Sequence, residues 1–143
     1  SWVMRGYLLD TCVIFEATRP RPSTRVRDWI LAKAPEQLFL SVVSITEIEQ
    51  GIASLDQAGK AKTLKAWLQD EVLPDFEDRI FNVDASLAVR WGQLLGEGRR
   101  SGKPPPLMDA LLAATALEHD LAVVTRNVGD FSRYGLGLVN PWQ

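Results

Sequence analysis

Three carboxylates stand where an apolar run meets a change of direction. Asp10 ends Tyr7-Leu-Leu-Asp10, Glu47 lies in Ser44-Ile-Thr-Glu47-Ile just after Leu38-Phe-Leu-Ser-Val-Val43, and Asp109 opens the Ala-rich stretch Asp109-Ala-Leu-Leu-Ala-Ala-Thr115-Ala. A carboxylate fixed to a buried element is costly to desolvate unless something neutralises it. Carboxylates brought together also raise one another's pKa. A divalent cation resolves both problems, so the three acids suggest a metal site. With one cysteine and one histidine in the chain, ligation through oxygen points to Mg²⁺, with Mn²⁺ as a substitute, rather than to zinc. Asp130, in Asn127-Val-Gly-Asp130-Phe131, is a fourth acid in what reads as a turn. Each acid also has a purely structural reading. Asp109 and Asp10 suit helix starts, and Glu47 suits the third residue of a capping box, Ser44-x-x-Glu47.

The elements that must position these acids alternate between strand and helix. Strands are expected at Gly6 to Asp10, Leu38 to Val43, Arg79 to Val83 and Leu121 to Thr125, with an edge strand at Leu138-Val139. Helices are expected from Ser23 to Ala34, Ser44 to Leu55 and Gln57 to Leu73. A further helix starts after Asp84 and carries Leu87, Ala88, Trp91, Leu94 and Leu95, with Gly96, Gly98 and Gly102 breaking it. Pro104-Pro105-Pro106 forms a stiff approach to the Asp109 helix. Strands separated by helices imply an α/β fold in three layers, α/β/α, around a central, mainly parallel sheet. Sites in such sheets form outside the carboxyl ends of the strands. Asp10, Glu47 and Thr125-Arg126-Asn127 can all face that edge, and Asp109 joins them if its helix starts there.

Size and composition bound the rest. A chain of 143 residues, 46% apolar and 24% charged, fits one domain spanning residues 1–143. Met4 is a candidate native start, which would make Ser1 to Val3 an added leader and residues 1–6 partly disordered. No secretory leader or bilayer-spanning run is evident, and a single cysteine fits a reducing cytoplasm. Net charge is −2, which disfavours a surface coated for non-specific nucleic-acid binding. Arginine nonetheless clusters at Arg19, Arg21, Arg25 and Arg27, and basic residues again at Arg99, Arg100 and Lys103. Cys12 reads as a small buried residue and His119 as a helix-end residue. Trp29, Trp67 and Trp91 read as core residues first and as a partner surface second.

Four of these segments, in order, resemble the PIN-domain ribonucleases, and within them the VapC-type toxins of bacterial toxin–antitoxin pairs, with the FitB-like branch nearest. The matching motifs are Leu8-Leu-Asp10-Thr11, Leu40-Ser-Val-Val-Ser44-Ile-Thr-Glu47-Ile followed by Gly51, Asp109-Ala-Leu-Leu-Ala-Ala-Thr115-Ala, and Val123-Val-Thr125-Arg126-Asn127-Val-Gly-Asp130-Phe131. The ending Asn140-Pro141-Trp142 is similar to that branch as well. The resemblance implies magnesium-dependent endoribonuclease activity. Asp10, Glu47 and Asp109 would form the acidic core, with Asp10 and Asp109 as the most direct metal ligands. Thr11 and Thr125 would support them through their hydroxyls. It also implies an RNA substrate, a cognate antitoxin, a homodimer or a hetero-oligomer with that antitoxin, a cytoplasmic location and no membrane association. One position departs from the pattern. Many members carry Asp where this chain has Asn127, and Asp130, three residues later, is the candidate replacement.

The expected chemistry is hydrolysis by a metal-activated water, with Arg126 and Arg19 as candidate phosphate contacts. Other readings stay open at this point. A dehalogenase-type phosphoryl-transfer enzyme needs a second Asp where Cys12 stands. A receiver module wants a Lys where Arg126-Asn127 stand. A DNA-directed nuclease of the same fold and a PIN-like module that binds RNA or a partner without cutting both remain compatible with the residues.

Overall fold

The computed structural model describes residues 5–143; the reading of Met4 as a native start lies outside the described residues. Five parallel strands form one sheet in the order β3-β2-β1-β4-β5. They are β1 Gly6–Leu9, β2 Leu38–Ser41, β3 Ile80–Phe81, β4 Leu121–Val124 and β5 Leu138–Val139. The central strands are short apolar runs because both of their faces are covered. Leu8 pairs with Val123 and Leu9 with Val124, and all four are buried. The strand order turns back at β1, which has β2 on one side and β4 on the other. That places a crevice at the carboxyl ends of β1 and β4.

Alternation along the strands divides the core into two layers. On one face, Leu8 and Val123 pack with Leu87 of α6 (Ala85–Arg100), Leu111 to Ala114 of α7 (Leu107–His119) and Phe131 of α8 (Val128–Phe131). On the other, Leu9, Leu38, Leu40 and Val124 pack with Val13 of α1 (Thr11–Glu16), Val26 of α2 (Thr24–Leu31) and Ile48 of α3 (Val42–Ala53). Helix α4 (Ala58–Trp67) continues through a π-helical turn, Leu68–Val72, into the single turn α5 (Leu73–Asp75), and buries Leu68 and Val72 on that second face. The tryptophans serve packing, as the residues suggest. Trp29 meets Tyr7 edge-on at 4.9 Å, Trp67 stacks on Phe15 at 6.0 Å, and the Trp91 indole donates to the Leu107 carbonyl at 3.0 Å. Among the described residues no helix is long and apolar enough to cross a membrane.

Three boundaries differ from the expectation, each for a physical reason. Strand β2 stops at Ser41, whose hydroxyl accepts from the Val43 N–H at 3.0 Å and so caps α3. Ser44 is therefore inside the helix, and the Ser44–Glu47 capping box does not form. Helix α6 runs unbroken through Gly96 and Gly98. Gly98 is instead a contact residue, since a Cβ there would lie 2.4 Å from Pro105 Cδ. The third strand shrinks from Arg79–Val83 to Ile80–Phe81, which leaves only a two-residue edge.

Candidate active site

The carboxyl edge of the sheet gathers residues from four elements. Asp10 follows β1, and its backbone N–H donates to the Val124 carbonyl at 2.9 Å. Its Oδ1 caps α1 by accepting the Thr11 N–H at 2.8 Å, so the helix-start reading holds. That leaves Oδ2, which accepts the Thr125 hydroxyl at 2.8 Å. Thr125, just after β4, is fully buried, and its Oγ1 in turn accepts the Asn127 N–H at 3.0 Å. On the other side of Asp10, the Thr11 hydroxyl donates to Glu47 Oε1 at 2.6 Å, and Ser44 Oγ lies 3.2 Å from the same hydroxyl. Asp10, Thr11, Glu47, Thr125 and Asn127 thus belong to one hydrogen-bonded chain. It joins segments up to 115 positions apart in sequence.

Asp109 comes to this edge by a different route. It is the third residue of α7, whose start at Pro106 has no side-chain cap. Asp109 makes no side-chain hydrogen bond among the described residues, so the capping reading fails. Its carboxyl pKa is raised, first by burial and then by the charges of Asp10, Asp130 and Glu47. Asp109 therefore feels the charge of each of the other three acids. Asp130 does not sit in an open turn. It lies in the single helical turn α8, exposed, with its N–H on the Asn127 carbonyl at 3.0 Å. Asn127 is exposed too.

Neighbouring groups have other roles. Cys12 Sγ lies 3.7 Å from Asp10 Oδ2 and 3.9 Å from Thr125 Oγ1. Burial, chiefly, pushes its thiol pKa up, which keeps it protonated and poorly nucleophilic. His119 is far along α7 and stacks on Phe81 at 4.1 Å. The two arginines of interest have partners outside the acidic core. Arg19 pairs with Glu16 at 3.6 Å, and Arg126 lies over the Trp142 ring at 4.7 Å. Glu16 is a polar group that sequence reasoning passed over, and Ser44 was read only as a helix cap. Ser44 carried a signal, a serine one helical turn before Glu47. Glu16, buried at 6% exposure, follows the apolar run Val13-Ile-Phe15 as Asp10 follows its own.

Among the described residues, no three acidic, histidine or cysteine side chains lie close enough together to hold a metal ion as they stand. The donor chemistry nevertheless fits a hard divalent cation. The groups are carboxylate oxygens, two of them oriented by hydroxyls, and the repulsion felt by Asp109 is what a cation would relieve. Mg²⁺ usually takes only one or two carboxylates and completes its shell with water and substrate oxygens. Convergence of three carboxylates on one point is not a requirement.

Comparison with known proteins places this architecture. The PIN-domain family profile matches residues 7–136. The chain belongs to the PIN-domain family. This PIN domain is 36% identical to the toxin FitB of Neisseria gonorrhoeae, over 94% of this chain and 97% of that protein. It is 35% identical to the VapC ribonuclease Y4jK of Sinorhizobium fredii, over 95% and 97% respectively. The crystal structure of FitAcB from Neisseria gonorrhoeae superposes on it with a TM-score of 0.88 at 35% identity, covering 96% of this chain and 99% of that one.

Proposed function

We propose that this PIN domain is a magnesium-dependent endoribonuclease that acts as the toxin of a toxin–antitoxin pair. The observation that carries the reading is the convergence at one sheet edge of Asp10 and Glu47, held by threonine hydroxyls, with Asp109, whose ionisation they oppose. The relatives named as a toxin and as a ribonuclease support it. By the same likeness, a cognate antitoxin, a homodimer and a cytoplasmic location belong to the proposal.

Asp10, Glu47 and Asp109 would hold the cation. When bound, Mg²⁺ or Mn²⁺ would supply Lewis acidity and an acidified water. The chain's own part is positioning. Thr125 directs Asp10 Oδ2, Thr11 directs Glu47 Oε1, and the backbone after β1 fixes both to the rigid sheet. No side-chain nucleophile is needed, and the protonated Cys12 does not offer one. Asp130 and Asn127 flank the site, where the exposed carboxylate can bind outer waters in place of the acid missing at position 127.

The test is cleavage of a panel of labelled structured RNAs by purified protein in Mg²⁺, Mn²⁺ and EDTA. Asp10→Asn and Asp109→Asn proteins, purified identically, control for contaminating nuclease. Metal-dependent cutting that both substitutions abolish is the expected result. Cutting that survives in Asp10→Asn, or in EDTA, would overturn the assignment.

A further inference from the structure

We propose that the groove beside the acids takes an unpaired nucleotide of the RNA, its base stacked on the Arg126–Trp142 pair and its phosphate on Arg19 and Arg21. The inference rests on the ribonuclease reading for its substrate class and on separate residues for its substance. Glu16, Arg19, Arg21, Ser23, Arg126 and Trp142 line a groove of about 640 Å³. That volume suits a nucleotide-sized ligand. Duplex RNA, in contrast, is read across a wide, shallow minor groove.

Charge and rigidity point the same way. The chain carries net charge −2, yet three arginines and one acid surround this groove. That acid is already engaged. Glu16 is buried, accepts the Ser23 N–H at 2.8 Å and pairs with Arg19 at 3.6 Å. The surface left to a ligand is cationic. Arg126 is exposed, but its guanidinium rests on the Trp142 ring at 4.7 Å. Trp142 packs against the core layer that includes Leu9 and Val124, and its backbone N–H donates to Asn140 Oδ1 at 3.0 Å. A guanidinium held over an aromatic ring in this way is a ready stacking partner for an unpaired base. It also loses less freedom on binding than a loose side chain.

Position ties the groove to the acids. Arg126 directly follows Thr125, which holds Asp10. Glu16 closes the six-residue helix that Asp10 caps, a rise of about 9 Å. One RNA strand can therefore lie across both.

The experiment is fluorescence-anisotropy titration of a labelled single-stranded oligoribonucleotide, and of the same sequence as a duplex, against Asp109→Asn protein in EDTA. Added to that background, Arg126→Ala is expected to weaken single-strand binding roughly tenfold or more, in line with the loss of one stacked base. Arg126→Lys keeps the charge and is expected to recover little of that affinity. Arg19→Ala is expected to lower the slope of log affinity against log salt by about 0.7, the value for one single-strand phosphate. The duplex is expected to bind at least about tenfold more weakly than the single strand. Arg126 is exposed, so Arg126→Ala reads binding without a folding defect. Unchanged binding in Arg126→Ala, equal affinity for duplex, or no RNA binding by the parent would each overturn the proposal. Cleavage in Mg²⁺, scored separately, tells failure of the groove from failure of the ribonuclease reading.

Discussion

The acidic edge has two halves that are built differently. Asp10 and Glu47 are held by hydrogen bonds from Thr125 and Thr11, at 2.8 and 2.6 Å, between segments that the sheet already fixes. Asp109 and Asp130 have no such partners among the described residues, and sit at the starts of helices α7 and α8. The first half is positioned by side chains, and the second by where the backbone delivers it. A pinned carboxylate keeps its orientation with or without a cation. An unpinned one can turn toward a cation or a substrate water, at the expense of tolerating its neighbours' charge when neither is present. The two halves should therefore respond differently to the same substitutions.

The largest difference is expected in cleavage. Asp10→Asn should lower the rate at least roughly 100-fold, the scale seen when one preorganised electrostatic group is lost from an active site. Asp130→Asn, at an exposed position, should cost no more than about threefold. Equal losses in the two variants, measured as single-turnover rates on one RNA, would give Asp130 the same standing as the three acids of the core.

The next effect concerns how the unpinned half is delivered. The Pro104–Pro106 approach fixes the start of α7, and it packs so closely on α6 that a Cβ at residue 98 would lie 2.4 Å from Pro105 Cδ and 3.0 Å from the Lys103 carbonyl. Gly98→Ala should therefore cost about 1–3 kcal/mol through overpacking, read by urea denaturation. It should also reduce activity beyond the loss of folded protein, because the approach must shift and Asp109 shifts with it. A neutral Gly98→Ala would mean that α7 is anchored elsewhere.

A smaller effect probes the hydroxyls. Thr11→Val removes the donor to Glu47 and leaves the shape nearly unchanged. A hydrogen bond to a charged group contributes about 1.5–3 kcal/mol. Most of that should appear as lost cleavage, of order tenfold, and little as lost stability, because the freed carboxylate is only half-buried and can reach water. A fall in Tm without a fall in rate would make Thr11 a structural residue only.

The same contrast explains what could be read from the residues alone. The pinned half was legible because Asp10 and Thr125 end apolar runs whose strand character is unambiguous. Parallel pairing of the strands then follows from alternation of strand and helix. Glu47 was found at the right edge, but the capping box expected with Ser44 does not form, because Ser41 and Ser44 are equally good caps and only the end of β2 decides between them. The unbroken α6 could not be foreseen from Gly96 and Gly98. Glycine lowers helix propensity, and the need for close contact at Gly98 comes from Pro105, a tertiary neighbour. The groove was the least legible feature. It joins residues 16–23 to Arg126 and Trp142 across more than a hundred positions, and no local pattern announces that union.

The smallest expected effect is also the most specific to the unpinned half. The Asp109 carboxyl has its pKa raised by burial and by Asp10, Asp130 and Glu47. Between its ordinary value and the raised one, the folded protein binds more protons than the unfolded chain, so stability falls as pH rises through that window. Below the ordinary carboxylate range the group is protonated in both states, and its contribution is fully present. Asp109→Asn removes the charge that causes the loss. In EDTA at neutral pH the variant should therefore melt slightly above the parent, and the gap should close as pH drops below the ordinary aspartate value. Excess Mg²⁺ should raise the Tm of the parent and narrow the gap from the other side, because a ligand that binds only the folded state stabilises it by mass action. Thermal melts of the two proteins at pH 7 and pH 4, with and without Mg²⁺, provide the check. A variant less stable than the parent at pH 7 in EDTA would show that Asp109 has a structural partner and that the two halves of the site are alike.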